Sequence, residues 1–150
     1  MDHDLVLVRT LPATPEAVYR CWTEPALLKR FFAPAPGKTV EAVIDPRPGG
    51  RFYTLMRFEE HGDIGGEGCV LVADPGRRFA WTDMLREEFR PNEGGFFSAD
   101  ITLRPVDGGC EYRVTARHAD EAAAKRHAEM GFHEGWGMVA DQLGRVAAAL

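Results

Sequence analysis

The sequence of 150 residues contains only three cysteines, Cys21, Cys69 and Cys110, an odd number set far apart. They make neither a C-x-x-C pair nor a zinc spacing. This excludes a disulfide framework and a structural zinc site, and free buried thiols in a reducing compartment are expected instead. No apolar stretch is long enough for a signal peptide or a membrane span, so the expected location is cytoplasmic. Positive charge is not in excess either: 18 Lys and Arg stand against 23 Asp and Glu, a net charge of −5. That balance offers no electrostatic basis for binding nucleic acid or an anionic membrane. Repeats, low-complexity tracts and linkers are missing, so residues 1–150 are read as one domain, a length that buries roughly 70% of its unfolded surface.

Catalytic fingerprints are missing as well. The chain has no nucleophile elbow, P-loop, H-E-x-x-H or dinucleotide fingerprint. The paired glycines of "RPGGRF" and "DIGGEG" follow the wrong elements for phosphate binding and read as hairpin turns. Catalytic residues are therefore left unassigned, and neither a cofactor nor a metal is expected.

What is present is a clear order of elements. "DLVLVRTL" (4–11) reads as a first strand. Thr14 as N-cap, Pro15 at the first helical position and Glu16 in the first turn open a short helix through Trp22. Pro25 restarts the chain into "ALLKRFF", which the "APAPG" breaker ends. Six strand-like segments then follow with only turns between them: "KTVEAVID", "RFYTLMRF", "EGCVLVA", "FAWTDML", "FFSADITLRPV" and "CEYRVTARH". Strands joined without helices argue for an antiparallel meander. Phe97, Ala99, Ile101 and Leu103 share an apolar face, as do Tyr112, Val114 and Ala116, so one side of the sheet is covered. The parity of the second of these segments is open between Phe52 and Tyr53.

From Asp120 the period becomes helical. Phe132, Trp136, Val139, Leu143, Val146 and Leu150 fall on one narrow stripe at about 100° per residue, which predicts one long helix running through Gly131, Gly135 and Gly137. An interior glycine costs about 1 kcal/mol relative to alanine. Gly131 and Gly135 share one edge of the stripe, so a neighbouring element or a ligand is expected to approach closely there, with Gly137 turned towards the polar side. Sheet and helix should bury each other.

These elements, together with "ATPEAVYRCWTEPALLKRFFAP", "DPRPGGRFYTLMR", "FAWTD" and "GFHEGWGMVADQL", resemble the SRPBCC (START-like, helix-grip) superfamily. Within it, the bacterial branch similar to the C-terminal domain of the activator of heat-shock protein 90 ATPase is the nearest in pattern. The chain departs from that pattern in having Phe31 and Phe32 where a tryptophan is common, and in its long charged "REEFRPNEGGFF" loop. The resemblance implies an α+β fold: a curved antiparallel sheet wrapped around a long C-terminal helix, with two short helices after the first strand. It also implies a hydrophobic cavity between sheet and helix for a small apolar or amphipathic molecule.

The residues expected to bind that molecule are Met56, Phe58, Trp81, Phe97, Tyr112, His118, Phe132, His133 and Trp136, with Trp22 assigned to the core. An imidazole facing the cavity, from His118 or His133, could serve as acid, base or anchor, or be satisfied by a backbone group. His3 and His61 are expected to be solvated and His127 to lie on the polar side of the helix. His127 and His133 are six residues apart, which does not place them on one helical face and argues against a metal. Two other functions stay open: an enzyme of cyclase or hydrolase type drawing on His118, His133, Asp83 and Arg113, and a chaperone partner. A homodimer stays open too.

Overall fold

The computed structural model describes residues 3–150. The chain enters as strand β1 (Asp4–Leu11), then turns into α1 (Pro15–Thr23) and α2 (Pro25–Leu28). Thr14 caps α1 as expected, its hydroxyl accepting from the Ala17 N–H at 3.1 Å, and Pro15 takes the position where a missing N–H costs nothing. Strands β2 (Lys38–Ile44), β3 (Arg51–Phe58), β4 (Gly62–Asp74) and β5 (Arg78–Thr82) follow. A small excursion, β6 (Leu85–Arg86), a 3₁₀ turn (Glu87–Phe89) and β7 (Arg90–Pro91), leads into β8 (Phe97–Val106) and β9 (Gly109–His118). The chain ends with α3 (Glu121–Glu129) and α4 (Phe132–Ala148).

Seven of the strands form one antiparallel sheet in the order β1-β9-β8-β5-β4-β3-β2, with β6 and β7 paired to each other beside it. β1 and β2 therefore occupy opposite edges, and α1 and α2 carry the chain between them. The outer face is laced with ion pairs, among them Arg51–Glu67 and Arg57–Asp63. Asp100 is the buried acid among these pairs: its carboxylate takes both Arg78 and Arg117 at 2.7–2.9 Å. On the inner face Phe52 rather than Tyr53 points to the core, being 2% exposed, so the open parity is resolved.

Trp22 is the hub of that core. Its ring lies 5.3 Å from Phe31, 5.1 Å from Phe32 and 6.2 Å from Phe79, and stacks on Trp136 at 6.2 Å. Such aromatic pairs add about 0.5–1.5 kcal/mol each beyond area burial. Phe31 and Phe32, the departure noted in the sequence, supply part of this cluster.

Three expectations are corrected. "DIGGEG" is not a turn: Gly65 and Gly66 lie inside β4, opposite Leu55 and Thr54, and the turn is the shorter Glu59–His61. The strand begun by "FAWTDML" stops at Thr82, because the Asp83 carboxylate turns back to accept the Phe96 and Phe97 N–H groups at 2.7 and 2.9 Å. The C-terminal helix is two helices. Gly131 sits between them at φ +92°, a left-handed conformation that glycine adopts without strain.

The close approach by a neighbouring element also falls elsewhere than expected. A Cβ on Gly137 would stand 2.9 Å from Arg9 Nη2, and one on Gly144 would stand 3.4 Å from Pro12 and 3.5 Å from Leu11. These two glycines let α4 lie against β1 and its exit. Gly135 meets only Pro34 Cγ, at 4.0 Å.

Candidate functional site

Around Trp22 the space between sheet and helices is filled. Between the middle of the sheet and the start of α4 it is not. A cavity of about 410 Å³ remains there, within the usual size of small-molecule sites. β3 contributes Phe52, Thr54 and Met56 to its wall, β4 contributes Ile64 and Gly66–Gly68, and β5 contributes Trp81. Phe97 of β8, Phe132, Trp136 and Val139 of α4, and Phe32 and Pro34 from the chain after α2 complete the lining. Ile64 and Met130, 51% and 70% exposed, stand at its rim.

Small residues keep this volume open. Gly66 and Gly68 on β4, and Gly131 and Gly135 at the start of α4, all border it. The edge of the helix that the sequence marked as permissive thus faces a cavity. Gln142 on α4 holds the opposite wall: its amide Nε2 donates to the Phe31 and Ala33 carbonyls at 2.8 Å each, and its Oε1 accepts from the Ala35 N–H at 3.0 Å. Three bonds from this one half-buried side chain thereby place Phe32 and Pro34.

Polar groups in the lining are few and mostly committed. Asp83 is engaged by the two backbone N–H groups already described. The Glu67 side chain is turned to the outer face, where both its oxygens take Arg51, at 2.9 and 3.0 Å. No lysine or arginine lines the cavity among the described residues. The Trp81 indole N–H is buried without a hydrogen-bond partner among them.

His127 differs from these. It is 8% exposed, lines the cavity and is ringed by Phe96, Phe97 and Phe132 at 4.8–5.1 Å between centroids. Its Nδ1 lies 2.8 Å from His118 Nε2, and His118 Nδ1 lies 2.8 Å from the His3 carbonyl oxygen. Burial, with the His118 ring beside it, pushes the His127 pKa down from 6.5 to about 4. The ring is therefore neutral near pH 7.

Of the nine residues expected to bind a ligand, Met56, Trp81, Phe97, Phe132 and Trp136 border this cavity. The other four do not. Phe58 has the right parity but lies past the end of the cavity, its ring over Gly37, where a Cβ would meet it at 2.2 Å. Tyr112 is fully buried in the filled core, where desolvation pushes its phenol pKa up and the Trp22 indole offsets part of the shift. His118 is turned to His3 and His127 and lies behind the cavity wall. His133 is exposed and its Nε2 lies 3.2 Å from the Val6 carbonyl. His3 is half-buried, not solvated, with its Nδ1 enclosed. Arg113 lies exposed on the outer face, away from the cavity. His127, placed on the polar side by the sequence, is the buried one. Had α3 been read alone, Ala123, Ala124 and His127 would have formed its inward stripe at i, i+1 and i+4.

The family described as Activator of Hsp90 ATPase homolog 1-like protein matches residues 12–148. A crystal structure of a Nitrosomonas europaea protein is 39% identical, covers 97% of this chain and 94% of its own, and superposes with a TM-score of 0.93. A Rhodobacter sphaeroides protein is 25% identical over 100% of this chain and 95% of its own, with a TM-score of 0.85. The AHSA1-like protein of Aeromonas hydrophila, 17% identical, shares the fold over 97% of this chain and 92% of its own at a TM-score of 0.72. The search of curated proteins returned no match.

Proposed function

The chain belongs to the family of Activator of Hsp90 ATPase homolog 1-like proteins, and from that premise we propose that it binds a small hydrophobic or amphipathic molecule between the sheet and its C-terminal helix. The observation that carries this reading is the cavity of about 410 Å³, walled mainly by aromatic and aliphatic side chains and held open by glycines on both of its sides. A protein under selection for stability alone would fill such a space, since a void forfeits packing contacts. The three cysteines, all buried as free thiols, agree with a protein working in a reducing cytoplasm.

A cyclase or hydrolase would need convergent ionisable groups free to act. Here Glu67 turns its carboxylate to Arg51 on the outer face, and Asp83 holds two backbone N–H groups through Oδ1, which favours binding over turnover. A chaperone-partner role, carried by the family's name, would leave the open apolar lining without a use.

The test is native mass spectrometry of the purified protein followed by denaturing extraction, with calorimetric titration of para-hexylphenol if nothing co-purifies. A stoichiometric small molecule, or saturable one-to-one uptake of the probe that is lost in Gly135→Leu, supports the reading. Neither a bound molecule nor uptake of the probe overturns it.

A further inference from the structure

His127 can be assigned a tautomer from geometry. A backbone carbonyl only accepts, so the His3 oxygen requires a proton on His118 Nδ1. With that ring neutral, His118 Nε2 carries a lone pair and must accept from His127 Nδ1–H. The neutral His127 ring then has its lone pair on Nε2. No described residue hydrogen-bonds to that atom, and it is not among the fully enclosed polar atoms. A relay anchored on β9 and the chain entry thus fixes one acceptor nitrogen in an aromatic wall of the cavity.

We infer that the ligand is an uncharged, largely apolar molecule that donates one hydrogen bond, from a phenol, an alcohol or an N–H group, to Nε2 of His127. This rests on the binding function proposed above and narrows its ligand class. The rest of the lining agrees with it. An anionic head group would meet no lysine or arginine and would lie near the Asp83 carboxylate, and the cost of desolvating it would go unrepaid. His118 and the His3 carbonyl act as positioning groups, because they decide which His127 nitrogen is bare.

Three matched probes test this by calorimetric titration at about pH 8, above the ordinary histidine pKa. Para-hexylphenol has the donor, para-hexylanisole lacks it, and para-hexylbenzoate is an anion of similar shape. The phenol is expected to bind about fivefold to tenfold more tightly than the anisole, as one net hydrogen bond provides, and the benzoate more weakly than either. In His127→Leu the gap between phenol and anisole should close while anisole binding persists. Equal binding of phenol and anisole, a gap that survives in His127→Leu, or preference for the benzoate overturns the inference but leaves the cavity reading intact. Failure of all three probes overturns both. If the leucine variant does not fold, the unaltered protein still decides. Two-bond ¹H–¹⁵N correlations of its imidazoles should show His127 protonated at Nδ1, and a proton at Nε2 refutes the assignment.

Discussion

Replacing Gly135 by alanine should stabilise the protein and cost it ligand. Gly135 lies in the first turns of α4, its N–H bonded to the Gly131 carbonyl at 2.9 Å, with ordinary helical geometry. A Cβ there would touch only Pro34 Cγ at 4.0 Å, an ordinary van der Waals distance. No steric term therefore opposes the helix-propensity gain, about 1 kcal/mol for glycine to alanine. For a domain of this size that corresponds to a rise of about 2–4 °C in Tm. Scanning calorimetry on the pair reads it directly, and a fall in Tm would refute the reasoning, because it would mean the apparent room is not there. Gly135→Leu extends further into the cavity and should abolish para-hexylphenol binding while leaving the protein folded. Gly131→Ala is the internal control: its Cβ meets nothing closer than Glu134 Oε2 at 3.6 Å, yet φ of +92° makes it destabilising by about 1–2 kcal/mol. Opposite signs at two glycines four residues apart separate conformation from space.

The remaining predictions concern polar groups. Gln142→Leu removes three hydrogen bonds to the segment that carries Phe32 and Pro34. It should lower stability by about 2 kcal/mol in urea unfolding and weaken probe binding, and unchanged binding would detach that wall from the site. Asp100→Asn should cost about 1.5–3 kcal/mol, measured the same way. Burial pushes this carboxyl up, but Arg78 and Arg117 outweigh it and hold it below the usual range. The ionised Asp100 thus stabilises the fold above its ordinary value of 3.8, and that contribution is lost as pH falls through its lower folded pKa. His127 works in another window. Its folded pKa near 4 lies under the ordinary 6.5, so the unfolded chain takes up a proton first as pH falls. Stability should drop by as much as about 3 kcal/mol between those two values, and a His127→Leu variant that folds should lack that component in urea titrations across the range. An identical pH profile would place the titration elsewhere.

Much of the architecture was legible because it rests on local chemistry. Thr14-Pro15 announces α1, Pro25 restarts the chain, and the alternation in residues 97–103 and 112–116 marks a sheet covered on one side. Pairings of distant segments were not legible, since nothing local in "DLVLVRTL" says that β1 lies beside β9 at the edge opposite β2. Gly65 and Gly66 misled for a physical reason. Glycine pairs usually serve turns, but here both sit in a strand, and Gly66 leaves the sheet surface bare beneath the cavity.

The site was half legible, and the histidine missing from it traces to one residue. Five aromatic or thioether positions could be assigned by parity and wheel because strands and α4 keep their period. Residues 120–150 read in sequence as one unbroken helical wheel, but the left-handed Gly131 resets the phase between α3 and α4. That reset moves His127 from the polar side into the wall, beside Phe97 and within 2.8 Å of His118. A continuous helix on the α4 phase would have turned the same imidazole to solvent. The same glycine also borders the cavity directly. Gly131 therefore acts twice, leaving space next to Phe132 and rotating α3 so that the His127 imidazole lines that space. Neither effect requires Gly131 to touch a ligand, which is why its substitution by alanine should alter binding through the placement of His127 as well as through stability.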